Sequence, residues 1–170
     1  MDDVQWLTES EQRAWRGLQF MQMQLEGELA RQLAADSGLS YPDYVVLVGL
    51  TDRPDGRMRL FELGAVLGWE KSRLSHHVTR MVKRGLANKE SCDGDRRGAY
   101  LVVTPEGRQA LEAAAAGHVA AVRRLFVDQL TPSQLETIAT AAEAVVAAIN
   151  KMPGAAGQHQ RLNELLTDRR

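Results

Sequence analysis

Residues 60–84 read LFELGAVLGWEKSRLSHHVTRMVKR, a pattern of two helices separated by a glycine turn. Leu60, Leu63 and Leu67 share one face of a short first helix, and Gly68 ends it because glycine readily takes the left-handed conformation. In residues 71–84 the apolar side chains form one stripe, whereas cations and histidines occupy the other face. The stretch therefore predicts a helix-turn-helix, whose second helix fits the major groove of DNA.

The polar face of the second helix carries donors that suit base edges. Arg73 and Arg80 can each donate to O6 and N7 of guanine, and His76 or His77 can donate to an acceptor edge. Arg84 is predicted to lie on the same face. The side chains near the helix start are better placed for phosphate oxygens: Lys71, Ser72 and Ser75.

A charged hairpin follows the second helix. Two β-like runs, residues 86–91 and 99–104, are joined by the segment CDGDRRG. At its tip, Asp95 can hold one of the neighbouring guanidinium groups of Arg96 and Arg97 while the other enters a narrow minor groove. The hairpin turns the predicted helix-turn-helix into a winged helix.

Capping signals predict long helices on either side of this core. TESE at residues 8–11 and TPSQ at residues 131–134 have the spacing of capping boxes, and Thr104-Pro105 places proline at the first helical position. We expect a mainly α fold in which residues 1–152 form a single unit. Its predicted parts are long helices at about 9–36 and 105–150, a winged helix-turn-helix at about 40–104, and a flexible or weakly helical tail at 153–170.

The net charge of −1 conceals a segregation of charge along the chain. Between Glu70 and Arg97 there are eight Lys and Arg residues against four Asp and Glu residues, so this segment carries +4 and the remainder −5. A basic segment in an otherwise acidic chain attracts phosphate to one surface, whereas the rest of the chain repels phosphate. The distribution of charge therefore favours nucleic acid as a partner.

Composition and motifs exclude several other classes. With 170 residues, 44% hydrophobic and 25% charged, the chain has the composition of an ordinary globular protein. We find no signal peptide and no apolar run long enough for a membrane span, so we expect a cytoplasmic protein without membrane contact. No GxSxG, Walker or HExxH pattern is present, and no His or Cys set has ligand spacing, so we expect no enzyme activity, no metal and no cofactor. The single cysteine, Cys92, is expected to be inert.

The order of these elements and two motifs resemble the MarR family over nearly the whole chain, from Trp6 to about Asn150. The motifs are the wing Asp-x-Arg, here Asp95 and Arg97, and the Leu-x-x-Thr-x-x-Gly entry to the next helix, here residues 101–107. The resemblance implies a two-fold homodimer held by the first and last two helices, bound to a pseudo-palindromic operator in double-stranded DNA. It also implies that His76 contacts bases, that Arg97 enters the minor groove, and that a small molecule releases the DNA.

Two functions remain after these steps. We expect a sequence-specific DNA-binding regulator that acts as a repressor and is released by a small aromatic or carboxylate effector. The alternative is a winged-helix module that binds a protein partner without specific DNA binding. The apolar residues Trp15, Phe20 and Tyr44 are expected first in the core or the dimer interface, because apolar residues at helical spacing usually pack there. The resemblance places Arg16 and His118 near them, so these five residues are also predicted to line the effector pocket, since pockets combine apolar walls with a few polar anchors.

Overall fold

The computed structural model of the protein describes residues 4–92 and 95–152, and for residues 92–98 it describes no side chains. The predicted tail at 153–170 lies outside the described residues. The described part is mainly helical, as the sequence predicts. The elements are α1 (Glu9–Ser37), α2 (Tyr41–Thr51), β1 (Arg57–Arg59), α3 (Leu60–Leu67), α4 (Lys71–Lys83), β2 (Ala87–Cys92), β3 (Asp95–Val103), α5 (Pro105–Leu125) and α6 (Pro132–Asn150).

Side-chain caps set the helix starts. Capping boxes open α1 at Thr8, α2 at Ser40 and α6 at Thr131, and each satisfies backbone N–H groups that a helix end leaves unpaired. The predicted starts of α1 and α6 are thus confirmed. Within the helical region predicted at 105–150, helix α5 ends at Leu125, and the chain tightens into a 3₁₀ turn at Val127–Gln129 before α6.

The wing is a long antiparallel hairpin in a three-stranded sheet of order β1-β3-β2. Leu101 of β3 stands opposite Met58 of β1 and Lys89 of β2. The backbone pairing of the hairpin continues to Cys92 opposite Asp95, with a register shift after Ser91. Most of the segment predicted as a connecting loop is therefore strand.

One hydrophobic core joins the winged helix to α1 and α5. Buried side chains from α2, α3, α4 and the inner face of the sheet pack together, and Leu33 of α1 and Ala114 of α5 belong to the same cluster. The fully buried residues at its centre are Leu33, Leu39, Val46, Leu47, Leu50, Leu63, Val78, Met81 and Leu101. The orientation of α4 is therefore fixed by packing against the rest of the described chain.

The Leu-x-x-Thr-x-x-Gly motif closes the winged helix onto α5. The Thr104 hydroxyl accepts from the Gly107 amide at 2.9 Å and donates to the Gly85 carbonyl at 2.6 Å. A Cβ atom at position 107 would lie 2.1 Å from the carbonyl oxygen of Leu86, so only glycine fits this approach. The motif thereby holds the base of the wing against the end of α4.

The helices outside the winged helix-turn-helix, α1, α5 and α6, form what we call the helical frame. In the single chain, two faces of this frame expose large apolar side chains to solvent. Trp15 and Phe20 are exposed on α1, and Val145 and Ile149 are exposed on α6. These faces have no partner within the described residues. No helix in residues 4–92 or 95–152 is long and apolar enough to cross a membrane.

Candidate nucleic-acid interface

Helix α4 separates a buried stripe from a polar face. Leu74, Val78 and Met81 are buried in the core, and the opposite side is open to solvent. We call the exposed side the reading face and define it by six residues that the sequence predicted for DNA: Lys71, Ser72, Arg73, Ser75, His76 and Arg80. All six side chains are exposed, and all six residue types carry hydrogen-bond donors.

His77 does not belong to the reading face, so its predicted position on the outer face is wrong. The residue is only 5% exposed. It occurs three residues after Leu74 and immediately before Val78, a spacing that places it within the apolar stripe of the helix. The edge of its ring meets Trp69 of the preceding turn at a centroid distance of 5.3 Å.

A buried carboxylate faces His77 from α2. Asp43 is 1% exposed, and its Oδ1 lies 3.1 Å from Nε2 of His77. The two atoms are at hydrogen-bonding distance, although the N–H direction is not aligned with the oxygen. The other oxygen, Oδ2, accepts from the Ser40 amide at 2.9 Å and from Nη1 of Arg84 at 2.5 Å.

These contacts keep Asp43 ionised. Burial by itself raises the pKa of Asp43, but the contacts with His77, with the Ser40 amide and with Arg84 outweigh it and hold the pKa well below its usual range. Arg84 also donates to the Gly38 carbonyl at 3.0 Å. Arg84, which the sequence placed on the polar outer face, is thus directed toward the ends of α1 and α2 instead.

Both arginines of the reading face contact a fixed aromatic ring. The guanidinium of Arg73 stacks over the Trp69 ring at 4.5 Å from the centroid. Nη2 of Arg80 lies 3.2 Å from Nδ1 of His77. Sequence reasoning missed Trp69, Asp43 and the inward role of His77, although the spacing of Leu74, His77, Val78 and Met81 carried the signal for the last.

The wing is only partly described. The backbones of Asp95, Arg96 and Arg97 lie in β3, and the positions of their side chains, like that of Cys92, are outside the described part of the structure. On the outer face of the sheet, the Arg57 guanidinium lies 4.5 Å from the centroid of the Tyr100 ring, and Arg59 donates to the Tyr100 hydroxyl at 3.3 Å. This arginine pair adds positive charge beside the hairpin.

The predicted effector residues fall into two groups. The rings of Tyr44 on α2 and His118 on α5 meet at 4.3 Å, and Nδ1 of His118 is buried without a hydrogen-bond partner. Burial lowers the pKa of His118 and raises the pKa of Tyr44, so both rings are neutral at pH 7. No group of His, Cys, Asp or Glu in the described ranges is arranged to hold a metal ion.

Trp15, Arg16 and Phe20 lie apart from the Tyr44–His118 pair. They are exposed on α1. The part of α1 that meets the His118 region is around Gln32, whose Nε2 lies 3.0 Å from the position of a Cβ atom on Gly117. Because α1 rises about 1.5 Å per residue, Phe20 is roughly 18 Å from Gln32 along the helix. The expectation that all five residues line one pocket is therefore wrong for a single chain.

Comparison with known proteins agrees with this geometry. Residues 37–98 match the profile of the MarR family. The crystal structure of AbsC, a MarR family transcriptional regulator from Streptomyces coelicolor, is 36% identical, covers 88% of this chain and 100% of its own, and superposes with a TM-score of 0.80. Another MarR family regulator of that bacterium, solved in complex with DNA, is 37% identical over 93% of this chain and 98% of its own, with a TM-score of 0.84.

A more distant neighbour shares the fold alone. CouR from Rhodococcus jostii RHA1, solved with bound p-coumaroyl-CoA, is 20% identical, covers 75% of this chain and 87% of its own, and gives a TM-score of 0.65. No curated protein sequence matches the chain.

The Asp43 contacts predict a pH-dependent loss of stability. Asp43→Asn removes the charge that His77 and Arg84 face, and should lower the free energy of unfolding by about 3 kcal/mol at neutral pH. Because the pKa of Asp43 is lowered in the folded protein, its stabilisation is complete above the pKa of the unfolded carboxyl and is lost as the pH falls. Urea denaturation at one protein concentration should show a constant gap between variant and wild type above about pH 5, and a shrinking gap below about pH 4.

The exposed Asp55 supplies a matched control. Asp55 carries the same side chain and pairs with Arg57 at the surface. Asp55→Asn should change the free energy of unfolding by less than about 0.5 kcal/mol at neutral pH. A gap for Asp43→Asn that persists unchanged in acid would contradict the assignment.

Proposed function

Because the chain belongs to the MarR family of DNA-binding transcriptional regulators, we propose that it is a homodimeric repressor that binds a specific pseudo-palindromic operator. The reading face is the observation that carries this proposal. Six outward side chains with hydrogen-bond donors line one side of a helix whose other side is buried, which is the arrangement that major-groove recognition requires. A relative with 37% identity was solved in complex with DNA, which supports the same use of the fold here.

The residues of the reading face divide into two roles. We assign Arg73, His76 and Arg80 to base edges, because their side chains are exposed on α4 and carry donors that suit base edges. The residues of the first turns are assigned to phosphates: Lys71, Ser72 and Ser75. In the wing, Arg97 is assigned to the minor groove, with Asp95 and Arg96 beside it.

Substitutions on the reading face separate specific from general binding. Arg73→Ala and His76→Ala should each weaken binding to the selected operator by about 1 to 3 kcal/mol and leave binding to random DNA unchanged. Lys71→Ala should weaken binding to both DNAs alike and lower the slope of log affinity against log salt by about one. Fluorescence anisotropy with both DNAs over a range of salt concentrations measures all three quantities.

Arg124→Ala is the control, since Arg124 is exposed on α5 away from the reading face. It should leave binding to both DNAs unchanged. Equal losses on operator and random DNA for all three reading-face variants would reject the division of roles.

The operator itself can be found by selecting genomic fragments with the purified protein. An enriched motif with two-fold symmetry and half-sites about one helical turn apart is the expected result. A motif that overlaps promoters supports repression. If no motif is enriched, the alternative of a winged-helix module that binds a protein partner replaces the proposal.

Dimerisation is assigned to the exposed apolar faces of the frame. Trp15 and Phe20 on α1 and Ile149 on α6 are large, exposed and unpaired in the single chain. Exposed apolar surface of this kind favours association, because burying it removes it from water. A two-fold dimer through these helices would present two reading faces to one side, as a symmetric operator requires.

Ile149→Glu tests the dimer. It places a charge in the assigned interface of both subunits and should weaken dimerisation by at least about 100-fold in sedimentation equilibrium. Phe61→Glu makes a similar change at an exposed apolar residue of α3 and should leave the dimer intact. A dimer of unchanged strength in Ile149→Glu would show that α6 lies outside the interface.

Effector release is assigned to the Tyr44–His118 pair. The contact between the two rings connects α2 of the winged helix-turn-helix to α5 of the helical frame. The unpaired Nδ1 of His118 can bond to a hydroxyl or carboxyl group, and the Tyr44 ring can stack on an aromatic effector. The same fold holds an organic ligand in the neighbour solved with p-coumaroyl-CoA.

A panel of aromatic carboxylates screened for DNA release tests this site. For any active compound, Tyr44→Ala and His118→Leu should each raise the concentration needed for release by at least about tenfold, because stacking and one hydrogen bond are lost. DNA affinity without the compound should stay within about threefold of wild type, since neither residue is on the reading face. A co-crystal with the compound elsewhere would refute the assignment.

A further inference from the structure

We propose that His77 is a positioning residue that fixes the side chain of Arg80 on the reading face by linking it to the buried carboxylate of Asp43. The inference rests on the proposed sequence-specific DNA binding, because its effect is on the choice between DNA sequences. It gives a function to a histidine that lies behind the helix surface, where it can reach no base.

The contact with Arg80 determines which ring nitrogen of His77 carries the proton. A guanidinium group only donates, so Nη2 of Arg80 at 3.2 Å requires Nδ1 to be the acceptor. The proton of the ring is then on Nε2, which faces Oδ1 of Asp43 at 3.1 Å. A chain of polar contacts therefore runs from the buried carboxylate, through the imidazole, to a side chain at the surface.

The inner end of this chain is immobile. The ring of His77 is buried and lies nearly perpendicular to the ring of Trp69. Asp43 is fixed in turn by the Ser40 amide and by Arg84. The ring thus offers Arg80 an acceptor whose position is set by α2, by the turn before α4 and by α4 itself.

An anchored arginine binds a base at lower entropic cost than a free one. An arginine side chain loses much rotamer freedom when it is immobilised, and a side chain that is already ordered loses less of it on binding. The contact with His77 uses one N–H of Arg80, and a guanidinium has five, so a bidentate pair with guanine stays available. Random DNA does not require one arginine geometry, so the gain falls mainly on the operator.

Two substitutions of His77 separate its two contacts. The amide nitrogen of glutamine reaches the place of Nε2, so His77→Gln keeps a donor for Asp43 and removes the acceptor for Arg80. The amide oxygen of asparagine takes the place of Nδ1, so His77→Asn keeps that acceptor and removes the donor. We expect His77→Gln to lose about tenfold in operator affinity with random-DNA affinity and salt slope unchanged. We expect His77→Asn to lose no more than about threefold in operator affinity and to show the larger drop in Tm.

A double-mutant cycle with Arg80→Ala distinguishes positioning from a general structural effect. If His77 acts through Arg80, the loss caused by His77→Gln should fall below about twofold when Arg80 is already alanine. A merely destabilised α4 would give the same loss in both backgrounds, and that result would overturn the proposal. Equal losses for His77→Gln on operator and random DNA would overturn it as well.

Nitrogen NMR of the wild-type protein gives a measurement that needs no variant of His77. The spectrum should show a ring protonated on Nε2, with an Nδ1 resonance that shifts in Arg80→Ala; a proton on Nδ1 would overturn the proposal. Wild-type protein without any sequence preference would refute the proposed function, and the positioning role with it. A wild-type preference that His77→Gln leaves intact would refute the positioning role alone.

Discussion

The position of α4, which carries the reading face, depends on the contacts of the buried Asp43 carboxylate. Moving an ion out of water costs several kcal/mol, and only well-placed partners offset this cost. Here the partners come from separate elements: the Ser40 amide at the start of α2, and His77 and Arg84 on and just after α4. A shift of α4 against α2 would separate the buried charge from His77 and Arg84 and leave it only the Ser40 amide of its own helix start. Apolar packing alone tolerates small shifts, so the ionic contacts set the orientation more sharply.

The contacts of Asp43 lie next to the contact between Tyr44 and His118. Tyr44 follows Asp43 directly on α2, so the two side chains point about 100° apart, one toward α4 and the other toward α5. A rigid helix cannot move one of these residues without the other. A ligand that shifts α2 when it binds between Tyr44 and His118 would therefore also disturb the Asp43 contacts. If DNA and such a ligand favour different positions of α4, each weakens the binding of the other by the same factor.

Local chemistry made most of the fold predictable, and tertiary contacts explain what sequence reasoning missed. The capping boxes at Thr8 and Thr131 act within one helical turn, so the sequence shows them directly. His77 was misplaced because histidine is polar, and its burial depends on a partner, Asp43, that lies far away in the chain. The five predicted effector residues do not meet in the single chain for a related reason. Their aromatic and polar side chains suit a pocket, but residue type does not show that α1 is long enough to separate Phe20 from His118.

The uneven charge of the chain explains why anchored arginines matter for this protein. Attraction to phosphate is independent of sequence and grows with the number of cations that reach the backbone. Outside Glu70–Arg97 the chain carries −5, so the frame opposes DNA and only the winged-helix surface attracts it. General attraction is therefore limited, and the preference for an operator depends on a few base contacts. In the proposed operator complex, ordering Arg73 on Trp69 and Arg80 on His77 before DNA arrives would strengthen those contacts and add no charge that also strengthens binding to random DNA.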